Sequence, residues 1–288
     1  MHRTKSGTPK THSNARQRRR ERKAAQQRLK RIRWLRRKGT GEPNATVLAD
    51  KFDRCTPRTP CGSAACPECS LSTSSQLTKA FRKFLRTRAA GDTVVAITVV
   101  LASSVVAPGK LHVFDPVNSA RRLKYIFDQA GVGWVIGALD QTLNTHEDAR
   151  YADHWLVHLH AFAVVKDPNH LRVALAEVLP KSDMVPRPLR VQEWDGKKKA
   201  IRYALKTVVR RRIGTDTELR FSKATNRQRQ CRATKTQRLR SAEKLELVLF
   251  LDRIGWKGRL FLRHAQQRPS QAGTTTITLM RNHGGKAP

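Results

Sequence analysis

Three histidines recur at even spacing in one short apolar stretch, His154-Trp-Leu-Val-His158-Leu-His160-Ala-Phe-Ala-Val-Val165. On an extended strand, alternate side chains face opposite sides. The odd positions, Trp155, Val157, Leu159, Ala161, Ala163 and Val165, are all apolar and are expected to pack on a hydrophobic layer. The even positions then carry His154, His158 and His160 on the other face, with His158 and His160 side by side as two imidazoles suited to one divalent metal. The competing reading is a pair of core histidines satisfied by hydrogen bonds.

A second cluster precedes it. Cys55, Cys61, Cys66 and Cys69 lie within RCTPRTPCGSAACPEC, which ends in a Cys-x-x-Cys knuckle. Four thiolates with Pro and Gly between them suit a tetrahedral structural zinc site, closed to substrate because no coordination position is left open. The first pair is spaced more widely than in a standard finger, and a buried-thiol or redox role is the alternative. A third candidate is Tyr203. The pattern predicts a helix over Lys197–Arg212, with Ile201, Ala204, Leu205 and Val208 as its apolar stripe. Tyr203 and Lys206 fall off that stripe with Lys199 and Arg210. A cation one turn from a phenol favours the phenolate and can hold a phosphate. The other two tyrosines, Tyr125 and Tyr151, fall on an earlier helix and in the loop before the histidine strand.

The elements that must position these groups follow from periodicity. TVVAITVVL (93–101) is a β-branched strand. Residues 118–130 are an amphipathic helix on Ala120, Leu123, Ile126 and Phe127. A strand is expected over 133–143, then a loop through 144–153, the histidine strand, a helix over 168–179, a short strand over 189–194 and the helix carrying Tyr203. The order β-α-β-β-α-β-α, with a hairpin in the middle, predicts an α+β ferredoxin-like sandwich with a central antiparallel sheet. Upstream, 76–90 reads as a basic amphipathic helix. Downstream, RFSKATNRQRQCRATKTQRLR is expected to be irregular or DNA-tracking, 241–251 a helix opened by Ser241-x-x-Lys244 with support from Glu243, and the tail from Gln266 loose. Four regions result: a basic arm over 1–50, a Cys-rich element over 51–90, a core over 91–212 and a basic extension over 213–288.

Charge narrows the class of partner. Among 288 residues, 58 Lys and Arg against 22 Asp and Glu give a formal net charge of +36. Such self-repulsion disfavours an enzyme of small metabolites and is relieved by a polyanion, above all nucleic acid. Residues 1–40 hold 16 Lys or Arg and a single acid, Glu21. This block, with Arg18, Arg19 and Arg20, is expected to be a largely disordered arm in isolation. It would order on a phosphate backbone, with a helix over 16–38 anchored by Leu29, Ile32, Trp34 and Leu35. No apolar run has the length of a bilayer span, and the basic start lacks the apolar segment of a secretory signal. Clustered cysteines fit a reducing compartment, so the expected setting is bacterial cytoplasm or nucleoid.

Taken in order, AITVVL, then GALDQTLN with Asp140, then His158-Leu159-His160, then Tyr203-Ala-Leu-Lys206 resembles the motif series of HUH endonucleases. It looks most like the single-tyrosine rolling-circle replication initiators of plasmids and phages, with transposases and relaxases as relatives. The resemblance covers about 90–210, and the Cys cluster, similar to zinc-ribbon-like segments of some of these proteins, extends it to about 55. It implies an HUH endonuclease core in which His158, His160 and Asp140 ligate Mg²⁺ or Mn²⁺. It also implies Tyr203 as nucleophile and Lys206 as its phosphate-positioning neighbour, acting on single-stranded or hairpin origin DNA, with a host helicase and polymerase as partners. The chain differs from many relatives in having Leu156 and Val157 before His158, Asp140 in place of Glu, and Lys199 one turn before Tyr203. A non-catalytic DNA- or RNA-binding protein, or a zinc-ribbon structural protein of a nucleoprotein particle, is the alternative from outside the enzyme class.

Overall fold

The computed structural model describes residues 10–88, 92–146, 152–222, 227–269 and 275–279. Three helices precede the sheet: α1 (Lys10–Lys38), α2 (Pro43–Asp53) and α3 (Pro67–Arg88). The sheet-forming part runs β1 (Thr93–Val106), α4 (Pro116–Gln129), β2 (Val135–His146), β3 (His154–Val165), α5 (Pro168–Val178), β4 (Leu189–Glu193) and α6 (Lys198–Ala204). It continues through β5 (Arg211–Ser222), β6 (Arg227–Gln237), α7 (Ser241–Arg259), β7 (Leu260–Arg263), β8 (Ala265–Pro269) and β9 (Thr275–Leu279).

The same local device starts three of the helices. Glu42-Pro43, Asp115-Pro116 and Asp167-Pro168 each place an acidic cap before a proline. The carboxylate accepts a backbone N–H of the first turn, and proline supplies helical φ where no donor is needed. Helix α7 starts on a variant: the Glu243 carboxylate accepts the Arg240 N–H at 2.7 Å, so the cap lies one residue before the expected Ser241.

β1 to β4 assemble in the spatial order β4-β1-β3-β2, every neighbouring pair antiparallel. The fold is therefore mixed α+β on a mostly antiparallel central sheet. The apolar alternation of β3 explains its placement: Trp155, Val157, Leu159, Ala161 and Ala163 are fully buried between its neighbours and the helices. Gly137 sits opposite Ala161, and a Cβ there would lie 2.5 Å from the His160 carbonyl oxygen, so only glycine lets β2 approach β3 so closely.

The other edge of β2 is shared. β7 pairs with Val135–Ala138, and β5 pairs in parallel with Leu143–His146. Residues 139–142 lie between these two partners, and this gap is where the site is built.

Three expectations are corrected here. The helix expected to reach Arg212 ends at Ala204, and residues 205–210 cross to β5. The Val208 that seemed to continue its stripe is 71% exposed. In the Arg/Gln-rich stretch expected to be irregular or DNA-tracking, residues 220–222 end β5 and 227–237 form β6, and within the expected loose tail residues 266–269 pair with residues 275–278 of β9. Strand pairing supplied by neighbours overrides a pattern that carries no apolar alternation of its own.

One hydrophobic cluster runs through all of this, from Ile32 and Leu35 of α1 and Phe52 of α2 to Phe250 of α7 and Ile277 of β9. The basic N-terminal helix thus has two halves. Arg16, Arg18, Arg19 and Arg20 are exposed, whereas Ile32 and Leu35 are buried and Leu29 stays half exposed.

Candidate metal centre and nucleophile

Register assembles the first group. Asp140 of β2 pairs directly with His158 of β3, and Thr98 of β1 pairs with His160. The two imidazole Nε2 atoms lie 3.0 Å apart, and the Asp140 Oδ2 lies 3.5 Å from that of His158 and 3.7 Å from that of His160. A circle through three atoms at these spacings has a radius of about 2.0 Å, the bond length of a small divalent cation to nitrogen or oxygen.

The ring orientations agree with this. His158 Nδ1 lies 3.2 Å from the Leu156 carbonyl oxygen, which can only accept, so in the neutral ring the proton is on Nδ1 and Nε2 offers a lone pair inward. His160 Nδ1 is held by the Thr98 hydroxyl at 3.0 Å. The Oδ1 of the fully buried Asp140 lacks a hydrogen-bond donor among the described residues, which a bound cation would remedy. The triad can hold a metal ion.

Charge in the cluster is otherwise balanced from one side. The Lys206 ammonium lies 2.7 Å from Asp140 Oδ2 and 3.8 Å above the centre of the Tyr203 ring. Burial alone would raise the Asp140 carboxyl; the facing imidazoles of His158 and His160 and the Lys206 ammonium outweigh it and hold the group well below the usual carboxylate range. Burial pushes His160 down, against the pull of Asp140, and so favours the neutral, ligating ring. Tyr203, 54% exposed on α6, brings its ring to within 5.0 Å of the His160 ring. A buried triad able to hold a cation is thereby flanked by an accessible phenol.

The remaining expected residues divide. His154 is buried at the far end of β3, with Nδ1 2.9 Å from the Ala152 carbonyl and Nε2 3.3 Å from the Asn144 amide, outside the triad. Tyr125 is exposed on α4, and Tyr151 lies outside the described residues. Lys199 and Arg210 are exposed on either side of Tyr203 in sequence, and Arg18, Arg19 and Arg20 are exposed on α1.

The four cysteines converge as well. Cys55 and Cys69 Sγ are 3.5 Å apart, Cys61 and Cys69 3.6 Å, and Cys55 and Cys66 3.8 Å. A disulfide needs about 2.05 Å. The edge of a ZnS₄ tetrahedron with 2.3 Å bonds is about 3.8 Å, so the spacing fits a shared metal. The Cys61 N–H also donates to Cys55 Sγ. Hydrogen bonds from the Cys61 and Cys66 thiols pull Cys69 down to about 2, making it the thiolate of the cluster. Arginines of α1 close the loop from outside: Arg28 pairs with Glu68 and Arg31 donates to the Ala65 carbonyl.

Residues with no motif of their own complete the arrangement. Arg259, fully buried at the end of α7, donates to the Lys206 carbonyl at 2.6 Å and to the Leu139 carbonyl at 3.3 Å. It fills the gap on the β2 edge and ties the Lys206 segment to the strand bearing Asp140. Ser70, next to Cys69, bonds Thr207 hydroxyl to hydroxyl at 2.6 Å, tying the Cys element to that same segment. Trp155 Nε1 donates to Glu246 of α7 at 2.8 Å. The one signal in sequence for Arg259 is its place among apolar neighbours in LDRIGWKGRLFL, which is weak. Comparison with known proteins adds no name to this geometry: no protein-family model, no curated protein and no solved structure matches the chain.

Proposed function

We propose that the protein is a metal-dependent HUH-type endonuclease that nicks and rejoins single-stranded DNA through a covalent phosphotyrosine, in the manner of a rolling-circle replication initiator. The observation that carries the reading is the buried Asp140–His158–His160 triad with Tyr203 and Lys206 at its rim. The sheet order β4-β1-β3-β2 is that of a ferredoxin-like core and supports it.

In this reading Asp140, His158 and His160 hold Mg²⁺ or Mn²⁺, and the Cys cluster holds a structural Zn²⁺. A divalent ion there supplies charge neutralisation for a scissile phosphate. The chain's own groups do the rest. The Tyr203 oxygen attacks phosphorus, forming the Oη–P bond as the bond to the 3′-oxygen breaks. The phenolic proton passes through solvent to the departing oxygen, which leaves as a 3′-hydroxyl on the DNA. The 5′-phosphate stays on Tyr203, so its bond energy is kept and the reverse attack rejoins the strand without ATP. Lys206, already over the Tyr203 ring, faces the incoming phosphate. The exposed arginines of α1, Lys199 and Arg210 track the backbone. The released 3′-end would prime a host polymerase, with a helicase opening the duplex, in the cytoplasm.

One observation favours a second reading, a non-catalytic DNA- or RNA-binding protein: Lys206 already neutralises Asp140, as a purely structural polar cluster requires. The adduct assay separates the two. Full-length protein is incubated with end-labelled single strands spanning its own replicon, with Mn²⁺ or Mg²⁺, and run on a denaturing gel. A metal-dependent protein–DNA band, abolished by Tyr203→Phe and reduced at least about 100-fold by His158→Ala, is the expected result. Tight binding without an adduct on any strand rejects the nicking mechanism, and a band surviving Tyr203→Phe rejects Tyr203 as nucleophile.

A further inference from the structure

The face of the sheet that carries the triad continues past β3. β4 is the outer strand, and it pairs with β1 in a register that sets Arg190 opposite Thr98 and Gln192 opposite Ala96. Thr98 in turn stands opposite His160. Directly opposite residues of an antiparallel pair project from the same face, so Asp140, His158, His160, Thr98, Arg190 and Gln192 share one side of the sheet. The alternate positions agree: Ile97, Ala161 and Val191 are buried on the other side. Glu193, the one carboxylate of β4, stands opposite Val95 and belongs to that other side.

Between the triad and the outer strand this face forms a shelf. Its floor is the small side chains of Ala96 and Thr98, both half-buried, whereas Arg190 and Gln192 are exposed. Trp194 closes one end, edge-on to Phe162 with ring centroids 6.0 Å apart and its Nε1 donating to the Lys197 carbonyl at 3.0 Å. Neighbouring strands lie about 4.8 Å apart, so the Arg190 backbone is about 10 Å from that of His160. The guanidinium is held in one plane: the Gln192 amide oxygen accepts from Arg190 Nη2 at 2.7 Å and from Nε at 3.2 Å. No carboxylate pairs with Arg190 among the described residues. A neutral partner on one edge leaves the charge and the donors of the other edge free for an anion. An arginine that only guards a sheet edge against pairing needs no such fixed plane.

The geometry points to Arg190 as the seat of a phosphate that flanks the scissile one on the same single strand. This inference rests on the reading of the triad as the place where a strand is cut. A strand whose reacting phosphate lies between the triad and Tyr203 can cross the shelf, its next sugar passing over Ala96 and Thr98. It then offers the neighbouring phosphate to the free edge of the guanidinium, whose planar fork matches two phosphate oxygens. Arg190 touches no reacting atom. Its contact fixes the register of the strand in the site, as phosphate contacts do, and Gln192 is the residue that positions it.

The test measures binding and adduct formation separately, in the full chain. Affinity for a fluorescein-labelled single strand from its own replicon is read by anisotropy in a Tyr203→Phe background, over about 50–300 mM NaCl. Arg190→Gln is expected to weaken binding about five- to tenfold and to reduce the salt slope by about 0.7, the share of one phosphate on a single strand. Arg190→Lys should keep the slope and recover part of the affinity, since an ammonium cannot fork. Arg121→Gln, which takes the same charge from the exposed side of α4, should change affinity within about twofold. With Tyr203 present, Arg190→Gln should raise the DNA concentration for half-maximal adduct by the factor lost in binding, while the rate at saturation stays within about twofold. Unchanged affinity and slope in Arg190→Gln overturn the assignment. A fall in affinity without a change of slope also overturns it, because that marks a distorted β4 and not a lost phosphate contact. A wild-type chain that binds but forms no adduct rejects the nicking reading alone, and the salt slopes still decide on Arg190.

Discussion

Asp140 is where burial and charge compete most sharply. A carboxylate out of reach of water is costly, yet the two imidazoles and the Lys206 ammonium keep it ionised. The consequence for stability has a definite sign. A carboxyl held below its ordinary value of 3.8 contributes stability that is fully present above that pH and is lost as the pH falls below it. Asp140→Asn in metal-stripped protein is therefore expected to lower unfolding free energy by about 2–4 kcal/mol at pH 7, because it leaves Lys206 facing an amide. The gap should narrow by about 1 kcal/mol at pH 3. Urea melts of both proteins from pH 7 to pH 3 measure it, and a gap that widens as the pH falls would mean that Asp140 is neutral when folded. At this scale the chemistry was readable in advance to the extent that spacing encodes it. His158 and His160 sit two apart on a strand, and Asp140 stands near the end of the strand before it. The Lys206–Asp140 ion pair was not readable, since it depends on how residues 205–210 cross the β2 edge.

Elements explain that crossing. The helix carrying Tyr203 stops at Ala204 although Val208 and Val209 extend its apolar pattern, because the Lys206 carbonyl is captured by Arg259 and Thr207 by Ser70. Both partners come from elements distant in sequence, so no local pattern announces them. The sheet is the opposite case: the strands expected near residues 93, 133, 154 and 189 and the hairpin joining the middle two all form, since β-branched runs and alternation are local signals. β5 and β6 lacked that signal and take their pairing from β2 and from each other. Arg259→Met tests the clamp. It leaves two carbonyls without their donor and is expected to cost about 2–4 kcal/mol. Arg259→Lys keeps the charge but reaches one carbonyl at a time. If Arg259 is a positioning residue, Arg259→Lys slows adduct formation at saturating DNA by about tenfold or more while DNA affinity holds. Equal losses of adduct and affinity would reduce Arg259 to a support of the fold.

For the molecule as a whole, the balance lies between one continuous core and a formal charge of +36. The core draws α1, the Cys element, the sheet and α7 into one unit, so each cation on its surface adds to repulsion within that unit. Salt screens this repulsion, and raising NaCl from about 50 to about 500 mM is expected to raise the melting temperature of the free protein by several degrees. The same salt should weaken DNA binding steeply, with log K falling against log salt at a slope of about −5 or more for the six or so phosphates that so basic a surface can neutralise. A melting temperature that falls with salt would show that specific ion pairs, such as Arg36 with Asp50 and Asp53, outweigh the general repulsion.

The Arg259 clamp also has a bearing on the order in which the chain is made. Asp140, His158, His160, Tyr203 and Lys206 have all left the ribosome before α7 is complete, but the group that joins their two supporting segments is the last residue of that helix. A polypeptide still in synthesis, or one cut short before Arg259, carries every chemical group of the centre without the clamp that ties the Lys206 segment to β2. Completion of the centre is thus a late event of folding, reserved for chains that have been read through the end of α7.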